Sequence, residues 1–390
     1  MKKNSIKSIQ PSSTRITNLD FIRGFAVLGI LVINVIAFGL PITAIFNHST
    51  YGAENLLDWI VIVISSVFFE FKMMGLFSML FGVGLMIFLD NAKQKVKRPK
   101  VLSFWRNLLL LLFGIAHVSI WEGDILVTYA LCAFCIVLFP QIQNNKITIF
   151  FITFLVFTDL LLINYIGSLY DNSGNLILDS AWVVAASEGG SLNLGKFWFP
   201  GESEFGNIIG LMFVLDGFLR AITLMVVGIL LYRLNVIQGT RSLNFYKKLM
   251  FYGFCIGLPF SIYSIYLRVS TEYIAANAIT SWFWLSFSVI PMVLGYVGLL
   301  TIMNIKLRES ISTRLRACGK MAFTNYITQT LFGVFVLGGL FGIGTFTRSQ
   351  LFLYVVIIWG LQILWSKPIL DKWRYGPLEW LWRKLTYLFV

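Results

Sequence analysis

The stretch LDFIRGFAVLGILVINVIAFGL, residues 19–40, decides the fold. Past Arg23 it is apolar except for Asn34, and it is long enough to cross the roughly 30 Å hydrocarbon layer as a helix rising about 1.5 Å per residue. A polar, basic leader precedes it with no small-residue cleavage site between them, so it reads as an uncleaved first span.

Working outward, comparable apolar runs occur at about 22–44, 73–90, 104–121, 124–140, 147–168, 207–233, 247–267, 277–303, 321–340 and 350–366. Composition agrees: 57% of residues are hydrophobic and 13% charged, with a mean hydropathy of +0.79. A soluble domain has about 25% charged residues and could not hide this much apolar surface. The expectation is one all-α, polytopic transmembrane helical bundle of about ten spans, with no appended soluble domain.

Basic residues set the orientation. With residues 55–71 not crossing, Lys and Arg number 5 up to Arg23, 6 in 91–106, one at Lys146, 4 in 233–248, 5 in 304–320 and 5 in 367–390. That puts 26 of 31 on one side, which the positive-inside rule makes cytoplasmic. If 55–71 crossed, the run NAKQKVKRPK would fall outside, so this segment is expected to be an outward-facing or re-entrant helix. Both termini are then cytoplasmic: a tail at 1–21, a membrane domain at 22–366, and an amphipathic segment at 367–390. External loops are expected at about 41–72 and 169–206. The second is rich in Gly, Ser and Asn, and reads either as a functional loop or as a tolerated insertion. The net charge of +13 thus marks topology and implies no nucleic acid partner. Cys132, Cys135, Cys255 and Cys318 form no disulfide framework and read as packing residues. Gly338 and Gly342 have the spacing of close helix packing.

Ionisable groups inside spans are costly and mark sites by default. Arg23 and Asn34 are eleven residues apart, about three turns and 16 Å along one helical face. Arg106 and His117 repeat that spacing in a later span. The arginines read either as cytoplasmic-end anchors or as a binding pair. His117 is either a general base or a histidine bonded to a neighbouring helix. Glu122 and Asp124 follow within two turns; a carboxylate there would orient the imidazole, cap the next helix, or do both. Asp216 and Arg220, four apart, predict a same-face ion pair that is either a structural clip or part of a charged cavity. Lys72 and Ser78 begin the second span, where the lysine would snorkel or bind an anion. No Walker A run, zinc-ligand spacing or G-x-S-x-G occurs.

With these residues in view, the sequence resembles the YeiB-like family of uncharacterised bacterial membrane proteins over nearly its whole length. The resemblance rests on LDFIRGFAVLGILVIN, FKMMGLFSMLFGVG, FGIAHVSIWEGDILVTYAL, GKMAFTNYITQT and GPLEWLWRKLTY. Tyr129, Lys320, Asn325 and Gln329 within these stretches join the substrate-binding candidates. That family is distantly similar to transmembrane acyltransferases of the acyltransferase-three and heparan-α-glucosaminide N-acetyltransferase types. In the acyltransferase-three pattern a histidine follows the first-span arginine by eleven positions; here that position is Asn34, so the catalytic assignment does not transfer. The heparan-type enzymes resemble this sequence more closely at that point. His117 is the candidate base on chemical grounds instead. In the C-terminal segment the aromatics suit an interfacial belt, and Arg383 is expected to pair with Glu379. That segment reads as a docked cap, or Arg383 grips the phosphates of an acyl donor.

The functional expectation is acyl transfer. A cytosolic acyl-CoA, used as co-substrate with no tightly bound cofactor, enters near Arg23, Arg106 and Lys320 and meets an extracytoplasmic glycan or lipid acceptor near His117. The alternative is a secondary transporter or flippase using Arg23, Asp216, Arg220 and His117, and a third is a scaffold without chemistry. Either active class places the chain as a multi-pass protein of a bacterial cytoplasmic membrane, with homo-oligomers allowed.

Overall fold

The computed structural model describes residues 16–41, 43–138, 145–167, 204–273 and 275–388, and every regular element among them is helical. The tail before residue 16 and most of the expected loop at 169–206 lie outside the described residues.

Helix α1 (Thr17–Gly39) is the central post, buried along most of its length. After a single turn, α2 (Thr43–Phe46), the chain forms α3 (Leu56–Phe68) and α4 (Lys72–Lys93). Asn55 and Asp58 make a reciprocal capping box that starts α3. Phe71 at φ 60°, a left-handed value, ends it and turns the chain into α4. The 55–71 segment is therefore a helix of its own, with Leu56, Leu57, Ile60, Val63 and Ile64 exposed on its outer face. Next come α5 (Pro99–Val118), α6 (Leu126–Leu138), α7 (Asn145–Gly167), α8 (Glu204–Arg233), α9 (Leu243–Ser270) and α10 (Ala275–Lys306). Then follow α11 (Glu309–Lys320), α12 (Ala322–Phe332), a π-helix (Gly333–Phe341), α13 (Arg348–Trp373) and α14 (Pro377–Thr386).

Among the described residues, seven helical stretches are long and apolar enough to cross a membrane: α1, the α3–α4 stretch, α5, residues 214–233 of α8, α9, residues 280–306 of α10, and α13. The 13 residues of α6 span only about 20 Å and fall short of the layer. The run expected as one span at 321–340 is divided into α12 and the π-helix, so it too is not one regular crossing helix.

Backbone contact at glycine locks α1 to α11. A Cβ on Gly24 would collide with the Leu315 carbonyl, and one on Gly319 with the carbonyl of Asp20. Both obstacles are backbone, so neither can move aside cheaply. The α4–α8 crossing works the same way through Gly82 and Gly228. The glycines expected to pack do not: Gly342 ends the π-helix at φ 90°, and a Cβ on Gly338 meets only ordinary contacts. Around α1, α4, α6, α8 and α10, residues such as Phe21, Leu76, Met79, Tyr129, Met225 and Val297 form one continuous core.

Candidate functional site

A cavity of about 280 Å³ opens among α1, α4, α5, α6, α11, α12 and α14. Arg23, Arg106, Lys320 and Arg383, four cations from four helices far apart in sequence, line it together. Among the described residues Glu379 is the one carboxylate in the lining, and it is already engaged: its Oε1 accepts the backbone N–H groups of Phe323 (2.8 Å) and Thr324 (3.0 Å), and its Oε2 the Thr324 hydroxyl (2.5 Å). Those amides are the open N-terminus of α12, where a carboxylate is favoured. The expected Glu379–Arg383 pair is therefore replaced. Arg383 instead lies over the rings of Tyr375 (5.3 Å) and Tyr387 (5.2 Å). Aromatic stacking also fixes Arg106, whose guanidinium sits 4.3 Å from the Phe88 centroid and 4.2 Å from that of Trp382. Trp382 Nε1 donates to the Arg106 carbonyl (3.0 Å), so α14 is stitched to α5 at the same point. Arg23 keeps Asp20 at 3.7 Å on its own helix.

Tyr129 belongs to the same lining, with its hydroxyl 2.8 Å from Ser78 Oγ and donating to the Met74 carbonyl (3.3 Å). Tyr326 lines the cavity too, and its ring packs 5.2 Å from His117. His117 lies behind that ring, buried at the end of α5. Its Nδ1 is 2.7 Å from Asp124 Oδ1, while Asp124 Oδ2 accepts the Val127 N–H at 2.9 Å and so caps α6. The two roles weighed for Asp124 thus coexist, one on each oxygen. In a neutral imidazole a carboxylate partner places the proton on Nδ1 and leaves the lone pair on Nε2. His117 Nε2 is buried without a hydrogen-bond partner. Glu122 lies in the exposed turn before Asp124.

Other predicted residues fall elsewhere. Asn34 is half-buried on α1 and does not line the cavity. Asn325 and Gln329 form a buried polar seam between α12 and α13: Gln329 Nε2 donates to Gln362 Oε1 (2.9 Å) and the Val27 carbonyl (3.0 Å), and Asn325 Nδ2 to Ser366 Oγ (3.2 Å). Asp216 and Arg220 do pair, at 2.8 Å, but the site is a triad. Arg220 also meets Asp159 (3.2 Å) and Ser286, and Ser286 Oγ donates to Asp159 Oδ2 (2.6 Å).

Lys72 does not snorkel: its Nζ is fully buried, donating to the Ser66 carbonyl (3.0 Å) and Ser261 Oγ (2.7 Å). Beside it, Arg268 pairs with Glu70 at 3.2 Å. His48 Nδ1 lies 3.0 Å from the Tyr273 hydroxyl, and burial next to Arg348 and Arg268 holds its pKa well below the usual histidine value. Arg348 donates to the Ala44 (2.7 Å) and His48 (3.3 Å) carbonyls and so ties down the loop before α3. None of these residues lines the cavity, and of them Arg268, His48 and Arg348 escaped the sequence reading. Tyr326 was equally missed, although it stands in the quoted run GKMAFTNYITQT.

Comparison with known proteins adds the family. A family model described as "Protein of unknown function (DUF418)" matches residues 231–389. The chain is 30% identical over 394 residues to the Escherichia coli K12 "Uncharacterized protein YeiB", covering 95% of this chain and 96% of that one. It is 28% identical to the Bacillus subtilis 168 "Uncharacterized protein YxaH", over 98% and 97% of the two chains. A 39.9 kDa protein of Bacillus acidopullulyticus, named for its place in the amylase 3' region, is 26% identical over 96% and 94%. This similarity runs over nearly the whole chain, and the chain belongs to the YeiB-like, DUF418 family.

Proposed function

We propose that this chain is an acyltransferase of a bacterial cytoplasmic membrane, moving an acyl group from a cytosolic acyl-CoA to an extracytoplasmic or lipid-linked acceptor. The observation that carries the reading is the convergence of Arg23, Arg106, Lys320 and Arg383 on one cavity whose tyrosine wall abuts the Asp124–His117 pair. Four cations facing one bound carboxylate suit a polyphosphate, and arginine forks and stacked guanidinium planes suit phosphate oxygens in particular. At about 280 Å³ the space is near the lower end for ligand pockets, so it takes the narrow pantetheine arm and leaves the nucleotide at its edge.

In this reading His117 Nε2 takes the proton from the acceptor hydroxyl or amine as that atom attacks the thioester carbonyl. Collapse of the tetrahedral intermediate breaks the C–S bond, and the departing thiolate collects the proton from Nε2. Asp124 holds the productive tautomer throughout, through the 2.7 Å contact at Nδ1. A second reading, a transporter or flippase, draws on the buried Asp159–Arg220–Asp216 triad. Every member of that triad is already bonded within the protein, with Arg220 bridging both carboxylates, which favours a clip between α7, α8 and α10 over a substrate path.

The test is to incubate purified protein with radiolabelled acetyl-CoA and membrane lipids, following thiol release and label in lipid and glycan fractions. Turnover is expected, with a loss of about 10²- to 10⁴-fold in His117→Ala, the usual contribution of a general base. No thiol release by the wild type, or equal release by His117→Ala, overturns the reading. Solute counter-transport into proteoliposomes would support the second one.

A further inference from the structure

Two aromatic rings touch His117: Tyr326 at 5.2 Å and Trp121 at 6.0 Å. Of these only Tyr326 also lines the cavity. The residue is 3% exposed, and its Oη is buried with no partner in hydrogen-bond geometry. The Ile125 backbone amide stands beside it, but an N–H engages only the phenol's lone pair. The hydroxyl proton therefore has no acceptor among the described residues. A buried phenol almost always finds a partner, because burial strips away the water that would otherwise satisfy it. Here the orphaned donor of Tyr326, in the cavity wall, and the orphaned acceptor of His117, its Nε2, just behind that wall, belong to touching rings.

We propose that Tyr326 is a catalytic residue whose hydroxyl donates a hydrogen bond to the thioester carbonyl oxygen of the bound acyl-CoA. The proposal rests on the acyl-transfer reading above. As the acceptor oxygen forms its bond to the carbonyl carbon, the carbonyl π pair moves onto oxygen. The Tyr326 O–H stabilises that developing charge by hydrogen bonding and keeps its own proton. The acceptor's proton passes to His117 Nε2 and then to the departing thiolate, so ester or amide and free CoA leave with every atom accounted for. A donor held in a water-poor wall is already aimed when charge appears, which is where such donors act most strongly.

Tyr326→Phe is the test, because it keeps the ring against His117 and deletes only Oη. Turnover is expected to fall about 10²- to 10³-fold, the usual effect of removing one oxyanion donor, with KM for acetyl-CoA and binding of free CoA changed less than about threefold. Thermal stability in detergent is expected to hold or rise, since a buried unsatisfied hydroxyl has been removed. A tyrosine that merely packs would give the reverse: turnover within about twofold of wild type, which overturns the proposal while leaving the acyltransferase reading intact. Loss of stability together with CoA binding also overturns it. A wild-type protein that binds CoA without turnover overturns both. Tyr326→Trp serves as a second variant, restoring a ring N–H donor; recovery of turnover above the Phe variant supports the donor role.

Discussion

Asp124 divides its work between its two oxygens, and that division predicts what an amide would do in its place. Oδ1 meets His117 Nδ1 and Oδ2 accepts the Val127 N–H. In Asp124→Asn one of these becomes an NH₂ donor. The backbone N–H cannot change its role, whereas an imidazole can switch tautomer, so the amide oxygen stays on Val127 and the NH₂ turns to His117. Nδ1 then becomes the acceptor and Nε2 takes the proton, leaving no lone pair toward the cavity. The expected result is a loss of transfer of about 10³- to 10⁴-fold, as in hydrolytic triads whose orienting aspartate is made an amide, with stability within about 1 kcal/mol of wild type. Nitrogen-15 NMR of labelled histidine reads the tautomer directly; an Nδ1–H form in the Asn variant would refute the argument without any activity assay. This pair was legible in the sequence because its members are seven residues apart across one turn. The contacts Arg268–Glu70, Arg220–Asp159 and His48–Tyr273 join residues 198, 61 and 225 positions apart, and no local pattern brings such partners together.

Among the elements, α14 shows how a short amphipathic helix becomes part of the cavity wall. Glu379 caps α12, Trp382 bonds the Arg106 carbonyl, Trp105 Nε1 donates to the Leu385 carbonyl (3.0 Å) and the Leu378 N–H donates to Thr324 Oγ1 (3.1 Å), and these contacts hold α14 in place. Burial raises the Glu379 carboxyl above its ordinary value of 4.5, partly offset by the bonds from Thr324 and Phe323. A carboxyl with a raised folded pKa holds its proton more tightly when docked than when free. Docking of α14 is therefore strongest below the ordinary value, weakens as pH climbs through the window up to the raised value, and is flat above it. Glu379→Gln has no titration and should lose that slope while keeping the amide acceptor; Glu379→Ala should lose the cap at a cost of about 1 kcal/mol. Hydrogen exchange of 377–386 from about pH 4 to about pH 8, corrected for intrinsic rates, checks both. An unchanged slope in the Gln variant would assign the pH dependence to another group. The sequence revealed α14 through GPLEWLWR but not what Glu379 holds, because its partner is the backbone of α12 rather than a side chain. Nor does hydropathy distinguish a π-helix from an α-helix, since both are read from the same apolar residues; hence the divided helix at 322–341 was expected as one span.

At the scale of the whole molecule, the five basic residues left outside the cytoplasmic count sharpen the topology. Four of them, Lys72, Arg220, Arg268 and Arg348, are no more than 5% exposed, and each is bonded within the protein. The fifth, Lys196, lies outside the described residues. The positive-inside rule concerns cations that must stay in water, and buried, internally bonded ones do not count against it. The charge asymmetry among the described residues is thus stronger than 26 of 31 suggests. The cavity cations Arg23, Arg106, Lys320 and Arg383 all belong to the segments that the charge count assigns inward. In a background with Cys132, Cys135, Cys255 and Cys318 replaced, single cysteines at Ser119 and Thr345 should react with an impermeant thiol reagent in intact cells. Cysteines at Lys95, Thr240 and Lys384 should react only after permeabilisation. The opposite pattern would turn the molecule over, put the cationic cavity outside and remove its access to cytosolic acyl-CoA. The same labelling at Ser203 would show on which side the chain between α7 and α8 lies, where the charge count demands the outer face.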